Sequence, residues 1–135
     1  MHRLSGLVVL ALSIGGCRYG TSAETFPPAQ GPEGVTVRLE AGSMGLRGEL
    51  IEVRVEAILL RVGGQIWLVD YEDIGSARLE QYAEDLGMGS GRTPGEGDRR
   101  ELGLLARFPQ GMSPDLVDQL LRVHGQTRFR TLGDP

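Results

Sequence analysis

The sequence predicts a mainly β fold with a helical addition: a small five-stranded antiparallel barrel at 34–86, then a helical hairpin at 101–125. Three observations predict it. Residues 35–40 and 51–56 alternate apolar and polar or charged side chains with a period of two, the repeat of a half-buried strand. Gly63-Gly64 separates two apolar runs, as in a tight hairpin. After a glycine-rich interval, Leu102, Leu105 and Phe108, and then Val117, Leu120 and Leu121, recur at helical spacing.

The chain has 135 residues, enough for one domain with accessories. Aromatic residues make up 5%, so Leu, Ile and Val must build the core. Lysine and asparagine are absent, and every basic residue other than His is Arg. The formal net charge of −4 disfavours a nucleic-acid partner, because an acidic chain gains little from counterion release. The single cysteine excludes an intramolecular disulfide and a cysteine-rich metal site.

That cysteine, Cys17, follows a short basic start and an apolar run from Leu4 to Ile14. The run is too short to span a bilayer and has the form of a signal peptide over 1–16. Ile14-Gly15-Gly16-Cys17 resembles the bacterial lipobox, in which the peptide is cut before a Cys that becomes lipidated. The resemblance implies a membrane-anchored lipoprotein of the cell envelope, on the periplasmic side. Arg18, in place of Asp, slightly favours the outer membrane. Residues 17–33 contain Pro27-Pro28 and Gly31-Pro32 and lack periodicity, which predicts a tether with stiff proline segments.

In the first strand Val35, Val37 and Leu39 face inward. In the second, Ile51, Val53 and Val55 take that role, while Leu46 and Leu50 have the opposite parity. The inward face is therefore expected to switch at a bend near Gly48. In the third strand, Ala57 to Val62, Ile58, Leu60 and Val62 share one face and Leu59 lies on the other. The fourth is apolar on both parities: Ile66 and Leu68 against Trp67, Val69 and Tyr71. Such a strand is covered on both sides. The expected core includes Val37, Leu39, Val53, Val55, Leu60 and Leu68. Ser76 to Glu80 is expected to close the barrel as a fifth strand and to pass into one helical turn, because Leu79, Tyr82, Ala83 and Leu86 also fit helical spacing.

A bent second strand with Gly-x-Leu, a glycine hairpin and a fourth strand ending in an Ile turn together resemble the Sm-like and SH3-like small barrels. The likeness covers about a third of the chain. Residues 35–80 also look like the barrel of uncharacterised bacterial lipoproteins from GC-rich genomes, a kinship that implies no activity. Sm-like proteins bind RNA through an Asp and an Asn after the second-strand Gly; the matching positions here hold Arg54 and Ile58. Where the bacterial Sm-like RNA chaperone has a Lys-His pair, this chain has Asp70-Tyr71-Glu72-Asp73. The resemblance therefore implies the fold without the RNA contacts.

Asp70, Glu72 and Asp73 are the candidate ligands for a hard cation, with Glu80, Glu84 and Asp85 downstream. The spacing and glycine of an EF-hand loop are missing, so a solvated acidic face is the competing reading and no metal or other cofactor is expected. His124 is the one His after the signal peptide, and no serine or cysteine is placed to form a triad with it.

Residues 87–100, with five glycines among Ser90, Thr93 and Pro94, predict a linker. Ser113-Pro114-Asp115 is a helix start: an oxygen cap, Pro at the first position and an acid in the first turn. Met112 and Val117 are spaced as a hydrophobic staple, and Gly125 is the natural stop. The stripe of Val117, Leu120 and Leu121 is expected to dock on the barrel of its own chain. The tail, 126–135, places Arg128 and Arg130 around Phe129; it is expected to fray, to add an edge strand or to touch anionic lipid. These readings converge on a non-enzymatic, tethered binding or scaffolding module whose protein partner and oligomeric state the sequence leaves open. The alternatives are an envelope protein contacting lipid or an inner-membrane complex, and a metal-dependent enzyme.

Overall fold

A computed structural model describes residues 33–81 and 84–135. The signal segment, Cys17 and the tether lie outside the described residues, as do Tyr82 and Ala83. Six antiparallel strands form one sheet: β1 (Thr36–Ala41), β2 (Met44–Val53), β3 (Ala57–Val62), β4 (Gln65–Asp70), β5 (Ile74–Leu79) and β6 (Glu84–Gly89). Two helices follow, α1 (Glu96–Leu104) and α2 (Pro114–Val123). The strand order is β4-β3-β2-β1-β5-β6. The sheet thus has six strands rather than the five expected, and it is open: among the described residues no ladder joins its two ends. β6 begins where a helical turn was expected and runs into the expected linker. Its pairing with β5, Ser76↔Gly89 and Arg78↔Asp85, accounts for the difference, since strand pairing here outweighs glycine content.

The connection from β4 to β5 dictates the shape of the sheet. Only Tyr71–Asp73, a 3-10 turn, separates them, yet three strands lie between them in the order. Four strand spacings across a flat sheet would require about 19 Å. A chain of that length reaches about 14 Å when fully extended, and less in a 3-10 turn. The sheet must therefore curl until the end of β4 approaches the start of β5. The curl gives it an inner and an outer face.

The inner face holds one continuous cluster. Val37, Leu39 and Ala41 of β1, Leu46 and Leu50 of β2, Ile58 and Leu60 of β3, Trp67 and Val69 of β4, Tyr71, and Ile74, Ala77 and Leu79 of β5 are all buried in it. Leu102 and Ala106, in and after α1, belong to the same cluster. α1 starts at Glu96 rather than 101. Gly95 occupies its N-cap position, and Glu96 and Asp98 supply the acids of its first turn.

On β2 the expected register fails. The strand pairs Leu50 with Leu60 but Glu52 with Leu59, so Ile51 is an extra residue. This bulge moves the change of face from Gly48 to Ile51. Leu50 and Val53 contact the inner cluster, whereas Ile51 belongs to the outer one. Val55, expected inside, follows the end of β2 and is 67% exposed. Gly48 serves instead for close approach: a Cβ there would lie 2.2 Å from the Arg61 carbonyl oxygen of β3. At the β3–β4 hairpin, Gly63 and Gly64 both have positive φ, as a two-residue primed turn requires.

The outer face is covered over β2, β3 and β4. Ile51, Leu59 and Ile66 are buried there with Leu120 and Leu121 of α2, and Leu68, Met112, Leu116, Val117 and Phe129 pack around them. The helices accordingly do not form the expected hairpin. α1 closes the inner cluster, while α2 lies on the opposite face of the same sheet. The helix starts as its sequence dictates, with Ser113 Oγ accepting from the Leu116 amide at 3.3 Å and Pro114 in the first turn.

These assignments separate two residues expected alike in the core. Leu60→Ala should lower the unfolding free energy by about 2–5 kcal/mol. Val55→Ala should change it by no more than about 0.5 kcal/mol. Urea titrations of the two variants check both values.

Candidate functional site

Asp70, Glu72 and Asp73 sit at and within the 3-10 turn that the curl requires, and all three are exposed. Between them Tyr71 points the other way, into the core, where its hydroxyl donates to the Arg54 carbonyl at 2.8 Å. Burial pushes that hydroxyl up to about 12, against a small opposing effect of Arg99. Among the described residues no group of three His, Cys, Asp or Glu side chains is placed to hold a metal ion. The turn is therefore an exposed acidic rim with an aromatic anchor beneath it.

Two carboxylates of β2 are buried, one of them, Glu52, a residue that the alternation placed in solvent. Glu49 and Glu52, on the outer side of β2, are 8% and 7% exposed. Glu49 Oε1 accepts from the Gly34 amide at 2.9 Å and from Arg107 Nε at 2.5 Å, and Oε2 lies 2.8 Å from Arg61 Nη2. Glu52 Oε2 accepts from Arg54 Nε at 3.0 Å, and Oε1 accepts from the Met112 amide at 3.2 Å. Each carboxylate thus fastens a remote segment to β2. Glu49 holds the start of the domain and the segment after α1; Glu52 holds the residue that precedes the α2 cap. Glu49 Oε2, which has its ion pair with Arg61 but no hydrogen bond among the described residues, is buried. A signal for the two carboxylates was present in the sequence as glutamates three apart beside a bulge, but the bulge itself was not legible.

The tail is docked. α2 ends with Gly125 at positive φ, and two reversed hydrogen bonds close the turn: Gly125 amide to the Arg122 carbonyl and Gln126 amide to the Leu121 carbonyl. The turn delivers Gln126 to the free side of β4. There its side chain accepts from the Ile66 amide at 2.7 Å and donates to the Ile66 carbonyl at 3.1 Å. Arg130 continues the pairing through its backbone, receiving the Leu68 amide and donating to the Ile66 carbonyl, in a parallel bridge opposite Trp67. Of the three expectations for the tail, edge pairing is the one observed.

The tail's cations are engaged as well. Arg130 lies over the Trp67 ring at 4.9 Å from its centroid, and Arg54 lies over Phe129 at 5.2 Å. Each such contact is worth about 0.5–2 kcal/mol, depending on desolvation. Arg128 forms a two-pronged pair with Asp134, at 2.8 and 3.0 Å. Those hydrogen bonds and one from the Thr131 amide hold the Asp134 carboxyl near 2. His124 Nδ1 is 2.8 Å from the Leu120 carbonyl, so the ring caps the end of its own helix.

Comparison of the chain with models of protein families, with curated proteins and with solved structures gives no match. Among the described residues no helix is long and apolar enough to cross a membrane.

Glu49→Gln leaves Arg107 and Arg61 facing a neutral amide in a buried site. Breaking such a pair from one side should remove about 3–5 kcal/mol of stability, measured by chemical denaturation. Tyr71 gives a pH signature. Its folded value lies above the ordinary 10.0, so its neutral form is held in the fold, and stability is full below pH 10 and falls as pH rises towards 12. Thermal unfolding between pH 8 and pH 11 should show that decline, and Tyr71→Phe should flatten it.

Proposed function

We propose that this chain is a lipoprotein of the bacterial cell envelope, anchored by acyl chains on Cys17, whose folded part is a non-enzymatic binding or scaffolding module. The observation that carries the reading is Ile14-Gly15-Gly16-Cys17, with the chain's sole cysteine at the position that is lipidated in such segments. Two acyl chains suffice for stable attachment, where one gives only marginal binding. The 16 residues between Cys17 and Gly34 would span at most about 50–60 Å, a tether long enough to let the module leave the lipid surface or return to it. The protein faces the periplasmic side, with the outer membrane favoured by Arg18.

The module is of the Sm-like or SH3-like small-barrel type. The curled meander of β1–β5, with the fifth strand returned beside the first by a 3-10 turn, supports this. A binding role is favoured over chemistry because Glu49 and Glu52, the buried carboxylates, are each engaged by arginine and backbone donors that tie chain segments to β2. The positions at which Sm-like proteins contact RNA are otherwise engaged in this chain. Arg54 here is held by Glu52 and Phe129, and Ile58 is fully buried in the core.

Mass spectrometry of the protein purified from membranes tests the anchor. The expected amino terminus is Cys17 carrying acyl chains. An unmodified Cys17, or an amino terminus elsewhere, overturns the lipoprotein reading.

A further inference from the structure

The outer face of the sheet is divided in two. Over β2–β4 it is apolar and covered by α2. Over β2, β1 and β5 it is open and carries arginine. Arg38 of β1 is paired in register with Arg47 of β2 on one side and with Arg78 of β5 on the other. Residues directly opposite in an antiparallel ladder project to the same face, and like charges so placed repel. Three arginines therefore stand in one row across three adjacent strands, and all three are exposed.

Counter-charge reaches the row unevenly. Glu80 grips Arg47, with Nη2 at 2.7 Å and Nε at 3.1 Å. The same carboxylate lies 3.8 Å from Arg38, outside hydrogen-bonding range. Arg78 makes no ion pair among the described residues. Between Arg38 and Arg78 runs a groove of about 170 Å³, lined also by Leu39, Glu40, Ser76 and Ala77. That volume is roughly six times the share of one water molecule in the liquid, enough for a compact oxyanion. Guanidinium forks match phosphate oxygens in pairs, which ammonium groups do not. Ser76 adds a hydroxyl at the same rim. Glu40 lines the groove, and Asp85 stands opposite Arg78 in register. The Glu40 carboxylate lowers the field of the row at the groove.

We infer that the groove between Arg38 and Arg78 is a binding site for a single phosphate group, free or as the diester of an anionic lipid headgroup. The inference stands on the strand register and is independent of Cys17.

The test is a titration of the ¹⁵N-labelled full chain, following the Arg Nε–Hε resonances. The probes are inorganic phosphate, glycerophosphoglycerol as the soluble headgroup diester, and glycerophosphocholine as the zwitterionic control. Saturable shifts of Arg38 and Arg78 are expected. Binding should be weakened about tenfold, or about 1.4 kcal/mol, in both Arg38→Gln and Arg78→Gln, and unchanged in Arg122→Gln. Glycerophosphoglycerol binding at least as tightly as inorganic phosphate assigns the site to a lipid headgroup. Inorganic phosphate binding alone assigns it to the free ion. Shifts that do not saturate, equal response to glycerophosphocholine, or equal loss in Arg122→Gln overturn the inference. A second readout guards against misfolded variants. Phosphate should raise the melting temperature of the parent and leave that of Arg78→Gln unmoved; a rise of equal size in both also overturns it.

Discussion

A turn of three residues has to carry the chain from one side of the sheet to a strand four positions away. That limit on reach governs the whole architecture. It curls the sheet, and the curl converts the alternate residues of every strand into an inside and an outside with different fates. Tyr71 shows how the limit is met. The residue that must turn the chain is also the one whose ring enters the core and whose hydroxyl ties the turn to the Arg54 carbonyl. The acidic neighbours on either side are exposed as a result, and their grouping follows from the geometry of the turn.

The inside is simple, because a curled sheet has one concave surface and apolar residues fill it. The outside demands more of the chain. A domain of this size buries a modest fraction of its surface and gains from any further apolar contact. The bulge in β2 answers that need. Opposite a single residue of β3 it places Ile51 and Glu52 on the outer side, one for packing under α2 and one for fastening the α2 approach. Glu49, three residues earlier, does the equivalent for α1 and for the start of the domain. One strand therefore organises both faces, and the two helices are held to it by glutamates on the side where glutamate would ordinarily meet water.

Strand positions, the glycine hairpin and the α2 cap were legible because each depends on local chemistry. Val37 and Leu39 alternate, Gly63 and Gly64 supply positive φ, and Ser113 caps Leu116. Both apolar parities of β4 could be read as two covered faces, and they are. What failed depended on distant partners. Val55 fits a period of two but lies beyond a one-residue insertion that only the pairing with β3 reveals. Glycine-rich 84–89 has no strand propensity of its own and becomes β6 because β5 offers it a ladder. The two helices looked like a hairpin since they are neighbours in sequence, yet the apolar stripe of each meets a different side of the sheet. Of the candidate ligands, Asp70, Glu72 and Asp73 do lie together, but on a rim. The face of Glu52 was hidden by the same bulge and the burial of Glu49 by its distant partners Gly34 and Arg107, and the row of Arg38, Arg47 and Arg78 required the register of three strands to be seen.

The glycine-terminated turn after α2 sets the tail along β4, and Gln126 and Arg130 use the donors and acceptors of that strand. The opposite margin, β6, ends the strand order with no further ladder among the described residues. Among the described residues the sheet is therefore monovalent: a strand from another molecule finds free backbone along β6, whereas at β4 the tail already engages Ile66 and Leu68. Open sheets with two free margins can lengthen into fibres; this one is built so that any such growth ends at a pair. For a protein proposed to be concentrated on a membrane, where encounters between copies are frequent, a few residues of tail thus act as a chain terminator.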